Sequence, residues 1–213
     1  MTAAQGGAAR RDDIAAAVAR VDDQLAEANE AREAALPACR KAIRAAGSSI
    51  RAVHRLDPDE AARLAKESEE ELRRAQAVLA PFPAVANAGF LHDAEKEYVE
   101  ARTVAALIGN LPVPTHQDLG VAGPAWMRGL AEAASELRRH LLDRLRDGQL
   151  ERSEALLGAM EDVYDALVVI DYPDALTNGL RRTLDALRAV LERSRGDVTT
   201  TVLQTRLQRA IEN

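Results

Sequence analysis

Aromatic side chains are scarce in this sequence: Phe, Trp and Tyr together make up 3% of its 213 residues. A core of stacked rings is therefore excluded. The 47% of hydrophobic residues are supplied largely by Ala, which suits helices packed at close range. Cysteine is nearly absent as well. With Cys39 alone there is no intrachain disulfide and no cysteine metal site, and a reducing compartment is the expectation. No run approaches the roughly 18 apolar residues of a membrane span, and MTAAQGGAARRDD lacks the continuous apolar stretch of a signal peptide, so a soluble, cytoplasmic protein with no membrane association is expected. An excess of basic residues is also missing. The net charge of -6 argues against a uniformly basic nucleic-acid binder but leaves room for a local basic stripe.

What is present reads as helix almost throughout. Ile14, Val18, Val21 and Leu25 recur at helical spacing and predict one apolar stripe on a first helix, with the intervening charges facing water. A second helical stretch follows Pro37 and ends near Leu56. Asp57, Pro58 and Glu60 then read as N-cap, first-turn proline and capping glutamate of a third helix that runs to about Leu79. Pro81 and Pro83 break it, and a fourth helix spans about Ala84 to Ile108. GNLPVPTHQDLGVAGP predicts a loop with one helical turn beginning at Thr115. Helix resumes from Ala125 to Asp147 and is broken at Gly148. Leu156, Leu157, Met160, Val163, Tyr164 and Leu167 mark the next buried face. Leu180, Leu184, Leu187 and Leu191 form another stripe, with Gly196 closing that helix and Asp197 capping a final one through Leu207 and Ile211. The expected fold class is all-α, a bundle of about six to eight helices.

Acidic residues carry the chemistry. In EKEYVEA, Glu97 and Glu100 are three apart, which places them about 60° apart on a helix, while Glu95 points largely the other way. Glu132 and Glu136, four apart in AEAASELRR, form a second ledge. Two such ledges facing one another offer hard oxygen ligands for Mg²⁺ or Mn²⁺. Acids at such spacings occur on most surface helices, so spacing alone favours two solvated helix faces, with Lys96 and Glu100 as an ordinary surface pair. None of His54, His92, His116 or His140 follows a Glu by three residues, which removes the carboxylate di-iron pattern. Arginines cluster in ELRRHLLDRLR and GLRRTLDALRAVLERSR, where they serve either as a phosphate track or as partners of the interleaved acids.

Four segments together resemble the translin and translin-associated factor X (Trax) family, in particular its short, archaeal-type, Trax-like members: residues 32–55, GFLHDAEKEYVEA, GLAEAASELRRHLLD and residues 164–199, which include DYPDALTNGLRR and RGD. They fall in family order and leave only the N-terminal tail and the region 110–124 unmatched. The resemblance implies a flexible tail over 1–10 and a single all-α domain of about seven helices over 11–213. That domain would assemble into a hollow homo-octamer enclosing single-stranded RNA or single-stranded DNA. It implies Mg²⁺-dependent endoribonuclease activity, with Glu97 and Glu100 matching the two catalytic glutamates of EYVEA and Glu136 matching the glutamate of ELRR. Glu132 stands where Trax has an aspartate, which keeps the charge and lengthens the arm by one methylene. The four glutamates are thus the expected catalytic and metal-binding set, and Arg138, Arg139, Arg181 and Arg182 the expected nucleic-acid contacts. A translin-like shell that binds single strands without cutting is the alternative.

Overall fold

The computed structural model describes the backbone of residues 3–212 and the side chains of residues 10–212. Six long helices carry the fold: α1 (Ala3–His54), α2 (Pro58–Leu79), α4 (Phe90–Gly109), α6 (Gly123–Arg146), α7 (Leu150–Val168) and α9 (Leu180–Glu212). Three single turns, α3 (Pro83–Ala86), α5 (His116–Leu119) and α8 (Asp174–Thr177), punctuate the connections. There is no strand among the described residues, in keeping with the all-α expectation. No described helix is long and apolar enough to cross a membrane.

Local chemistry places most of the helix ends. The Asp57 side chain accepts from the Glu60 backbone N–H at 3.1 Å, with Pro58 in the first turn. The Glu60 carboxylate turns to Arg63 at 2.7 Å instead of back to the cap. Thr115 and Asp118 form a reciprocal capping box on α5. Asn110 and Asn178 close α4 and α8 in the left-handed region, and Gly148, at φ 74°, separates α6 from α7.

Three boundaries differ from the sequence expectation. Pro37 does not divide the first helix. It lies inside α1, which already begins at Ala3 and so takes in most of the stretch expected as a tail over 1–10. A proline in a helix interior costs about 3 kcal/mol or more, but Pro37 faces solvent while Ala35, Ala38, Cys39 and Ala42 are buried against α2 and α4, and that packing holds the helix together. Gly196 does not end α9 either, because Ser194 and Val198 on either side of it are buried and an interior glycine costs only about 1 kcal/mol. Proline and glycine between Pro81 and Gly89 detach one turn, α3, so the fourth expected helix starts at Phe90 and not at Ala84.

The stripe of Ile14, Val18, Val21 and Leu25 is also not buried within the chain. All four are more than half exposed, as are Leu203, Leu207 and Ile211 at the far end of α9. The core lies between these ends in three adjoining clusters. One joins α6, α7 and α9, a second joins α1, α2 and the first half of α4, and a third joins α1, α4 and α6. Alanine is the commonest residue in the last two and the majority of the third, so α4 and α6 approach closely at the centre. Gly129 marks the tightest point, where a Cβ would stand 2.6 Å from the Lys96 carbonyl oxygen and 2.7 Å from Val99 Cβ. The acidic residues sit beside that contact.

Candidate metal centre

Glu97 and Glu100 project from α4 beside Glu132 of α6, one turn past Gly129. Each offers a carboxylate oxygen, and these atoms lie within 4.8 Å of one another. The two expected acidic ledges therefore face each other, and three of the four glutamates converge. All three are half-buried.

Burial and like charge act together on Glu100. Removal from water, followed by the negative charges of Glu97 and Glu132, pushes its carboxyl up to about 8, against the opposing charge of Lys96. Lys96 lies within the cluster and not on the outer face. It donates to Glu97 Oε1 at 2.9 Å and to Glu132 Oε2. Burial alone would lower the Lys96 ammonium, but its bonds to Glu132 and Glu97 outweigh that and raise it. The anticipated surface pair of Lys96 with Glu100 is thus replaced by two contacts inside the site. On the outer side, Arg128 Nη2 reaches Glu132 Oε1 at 3.6 Å.

Glu136, one turn further along α6, is turned toward α1. Its Oε1 lies 2.7 Å from His54 Nε2, and the His54 side chain is only 2% exposed. Glu136 still adds to the negative charge felt by Glu100. His54 Nδ1 is buried without a hydrogen-bond partner, and the His140 ring lies 6.4 Å away. Glu95, as its helical position predicts, points elsewhere. It accepts from Gln76 Nε2 at 2.7 Å and from the Ala122 backbone N–H at 3.2 Å, and burial raises its pKa.

The arginines divide. Arg138 ties α6 to α9 through Asp197 at 2.7 Å and Ser194 at 3.0 Å. Arg144, Arg146 and Arg188 pair with acids on or adjoining their own helices, and Arg195 crosses to Glu161. Arg139, Arg181 and Arg182 are exposed. Arg182 lines a cleft of about 950 Å³ with His92, Arg128 and Asn178, next to the clustered acids. In it Arg128 Nη1 stands 3.3 Å from His92 Nε2, which must accept. Asn178 Nδ2 faces the other ring nitrogen, Nδ1, at 3.1 Å, and burial and the Arg128 charge hold His92 below its ordinary range. A more apolar groove of about 730 Å³ between α2 and the end of α4 contains none of the clustered acids.

The donor set suits a hard divalent cation. Three carboxylates converge from two rigid helices, and the cost of their mutual repulsion, visible in Glu100, is what a dication relieves. Of the residues outside the expected set, Arg128 was legible from its spacing of four to Glu132. His54 was not, since 82 positions separate it from Glu136.

No family model matches the chain. An uncharacterized protein of Methanocaldococcus jannaschii is 30% identical over 186 residues, covering 86% of this chain and 82% of that protein. Among solved structures, AfC3PO superposes with a TM-score of 0.81, and its complex with duplex RNA with 0.79. Each is 30% identical and covers 88% of this chain and 97% of the other. Apo-NeC3PO superposes with a TM-score of 0.76 at 19% identity, covering 86% of this chain and 96% of its own, and speaks for the fold alone.

Proposed function

Because this chain belongs to the translin family, which includes the C3PO proteins, we propose that it is a metal-dependent endoribonuclease whose site is built on Glu97, Glu100 and Glu132. The observation that carries this reading is the convergence of those three carboxylates, from helices α4 and α6, within 4.8 Å. A divalent ion, Mg²⁺ or Mn²⁺, would supply Lewis-acid polarisation of a phosphoryl oxygen and activation of water. Glu97, Glu100 and Glu132 would hold it, and the rigid helices fix their spacing. Glu136, anchored by His54, stands one turn away with its carboxylate available to a water at the edge of the cluster. Arg128 and Arg182 line the adjoining cleft, and with exposed Arg139 and Arg181 they offer guanidinium groups to the phosphate backbone. Arg138 acts on the fold, through its bond to Asp197.

RNA is the substrate class favoured by the relative that forms a complex with duplex RNA. Single-stranded RNA, with single-stranded DNA as a weaker ligand, is the form this reading assigns as substrate. The exposed apolar faces of α1 and α9 support self-assembly into a hollow octameric shell that encloses it. A shell that binds without cutting is favoured by one observation: Glu132 stands in place of an aspartate and is held by Lys96 and Arg128.

The test is cleavage of labelled single-stranded and duplex RNA with Mg²⁺ or EDTA, beside a Glu97→Ala, Glu100→Ala double variant. Metal-dependent cutting that the double variant loses is the expected result. Retention of RNA without cutting establishes the binding shell, and unaltered cutting by the variant removes this site.

A further inference from the structure

Lys96 is the one cation inside the acidic cluster among the described residues, and its position bears on how many metal ions the site can hold. Its side chain is only 10% exposed, and its Nζ bonds carboxylates on two different helices, Glu97 on α4 and Glu132 on α6. An ammonium withdrawn from water is strongly unfavourable unless its charge is matched. Helical spacing alone would have let it swing out to solvent. The fold instead fixes it among the ligands, where α6 is drawn in over the Lys96 backbone by Gly129.

The charge balance follows from these contacts. With an ion bound, Glu97, Glu100 and Glu132 are ionised and Lys96 offsets one of their three charges, leaving two, which Arg128, 3.6 Å from Glu132, reduces further from outside the cluster. Glu136 is held by His54 and lies outside the set of converging oxygens. Two residual charges match one dication. A second dication would have to enter a half-buried space that already holds an ammonium, with only three carboxylates to serve both ions, whereas two-metal sites place their ions roughly 3.5–4 Å apart and share more ligands between them. The ammonium also repels a dication brought close to it, and the more strongly because the site is half-buried.

We propose that the cluster is a one-ion seat, in which Lys96 supplies the second positive charge as a fixed ammonium and presents it to a phosphate oxygen of bound RNA. This rests on the reading of the three glutamates as a divalent metal seat. Lys96 is then a further catalytic residue, acting on charge at the phosphate without exchanging a proton.

Calorimetric titration of the full chain with MnCl₂ and with MgCl₂ tests it, using wild type, Lys96→Gln, Lys96→Met and Lys96→Arg. Expected are one ion per chain in wild type, affinity at least about tenfold higher in the Gln and Met variants because the repulsion is gone, and wild-type affinity in the Arg variant. At saturating Mg²⁺ the two neutral variants cut RNA at least about tenfold more slowly in kcat, while the Arg variant is restored. Tighter metal with slower cutting is a combination that a merely loosened fold does not give, and the Met variant keeps the buried stem should the Gln variant fold poorly. Two ions per chain in wild type, or neutral variants with equal or weaker affinity, overturn the proposal and leave the nuclease reading standing. No ion bound by wild type overturns the metal seat itself. One ion, tightened in the neutral variants of a protein that cuts no RNA, overturns the nuclease reading and retains the one-ion seat.

Discussion

Glu100→Gln should make the metal-free protein more stable. The Glu100 carboxyl is pushed from 4.5 up to about 8 by burial and by the charges of Glu97 and Glu132. A folded-state value above the unfolded one means that the native protein keeps a proton that the unfolded chain releases. Stability is therefore full below 4.5, falls as the pH rises, and levels off above about 8. Each pH unit within that interval costs about 1.4 kcal/mol, so at pH 7 the ionisable group costs about 3 kcal/mol relative to a neutral isostere. For a chain of this size, 1 kcal/mol moves the melting temperature by about 2–4 °C, so the variant should melt about 6–12 °C higher at pH 7 in EDTA. Near pH 4.5 the gain should shrink to about 1–2 °C, because the wild-type group is then protonated in the folded state and already half protonated in the unfolded one. Mg²⁺ should stabilise wild type and stabilise the variant less. Thermal unfolding at fixed protein concentration, at the two pH values, reads all of this. An equal gain at both, or a lower melting temperature at pH 7, would refute the claim that Glu100 is held against the charge of its neighbours.

Two further variants probe how the site is built. Gly129→Ala places a Cβ 2.6 Å from the Lys96 carbonyl oxygen, so α4 and α6 must part; a loss of about 1–3 kcal/mol in stability and weaker Mn²⁺ binding are expected by melting and calorimetry. Glu136→Gln should weaken Mn²⁺ binding less than Glu97→Gln, because Glu136 is turned to His54 and the Gln side chain can still hydrogen-bond the ring; equal losses in the two variants would place Glu136 among the ligands.

Most of the fold was legible because its helix ends are set by local chemistry. Asp57-Pro58, Thr115 with Asp118, and Gly148 act within a few residues of themselves, and the sequence shows them directly. Pro37 and Gly196 misled because their local penalties are small beside the packing on either side: buried Ala35, Ala38 and Cys39 for one, Ser194 and Val198 for the other. The stripe at Ile14, Val18, Val21 and Leu25 lies on one helix as its spacing indicates. Periodicity reports that a face is apolar but not what covers it, and among the described residues nothing does.

The site divides along the same line. The angle between Glu97 and Glu100 is a property of one helix, so spacing sufficed, and Glu95 pointing away came with it. The pairing of that ledge with Glu132 depends on α4 and α6 meeting at Gly129, a contact between residues 33 positions apart from Lys96 onward that no local rule supplies. Lys96 shows the limit most clearly. Helical spacing offers it Glu100 as a partner, and the fold gives it Glu97 and Glu132 instead, because bringing α6 over the Lys96 backbone leaves its ammonium facing the acids of both helices. A spacing rule describes a helix surrounded by water. Once a second helix closes over that surface, the same residues form an interior, and the residue expected to screen the acids from solvent becomes part of the charge that sets what they can bind.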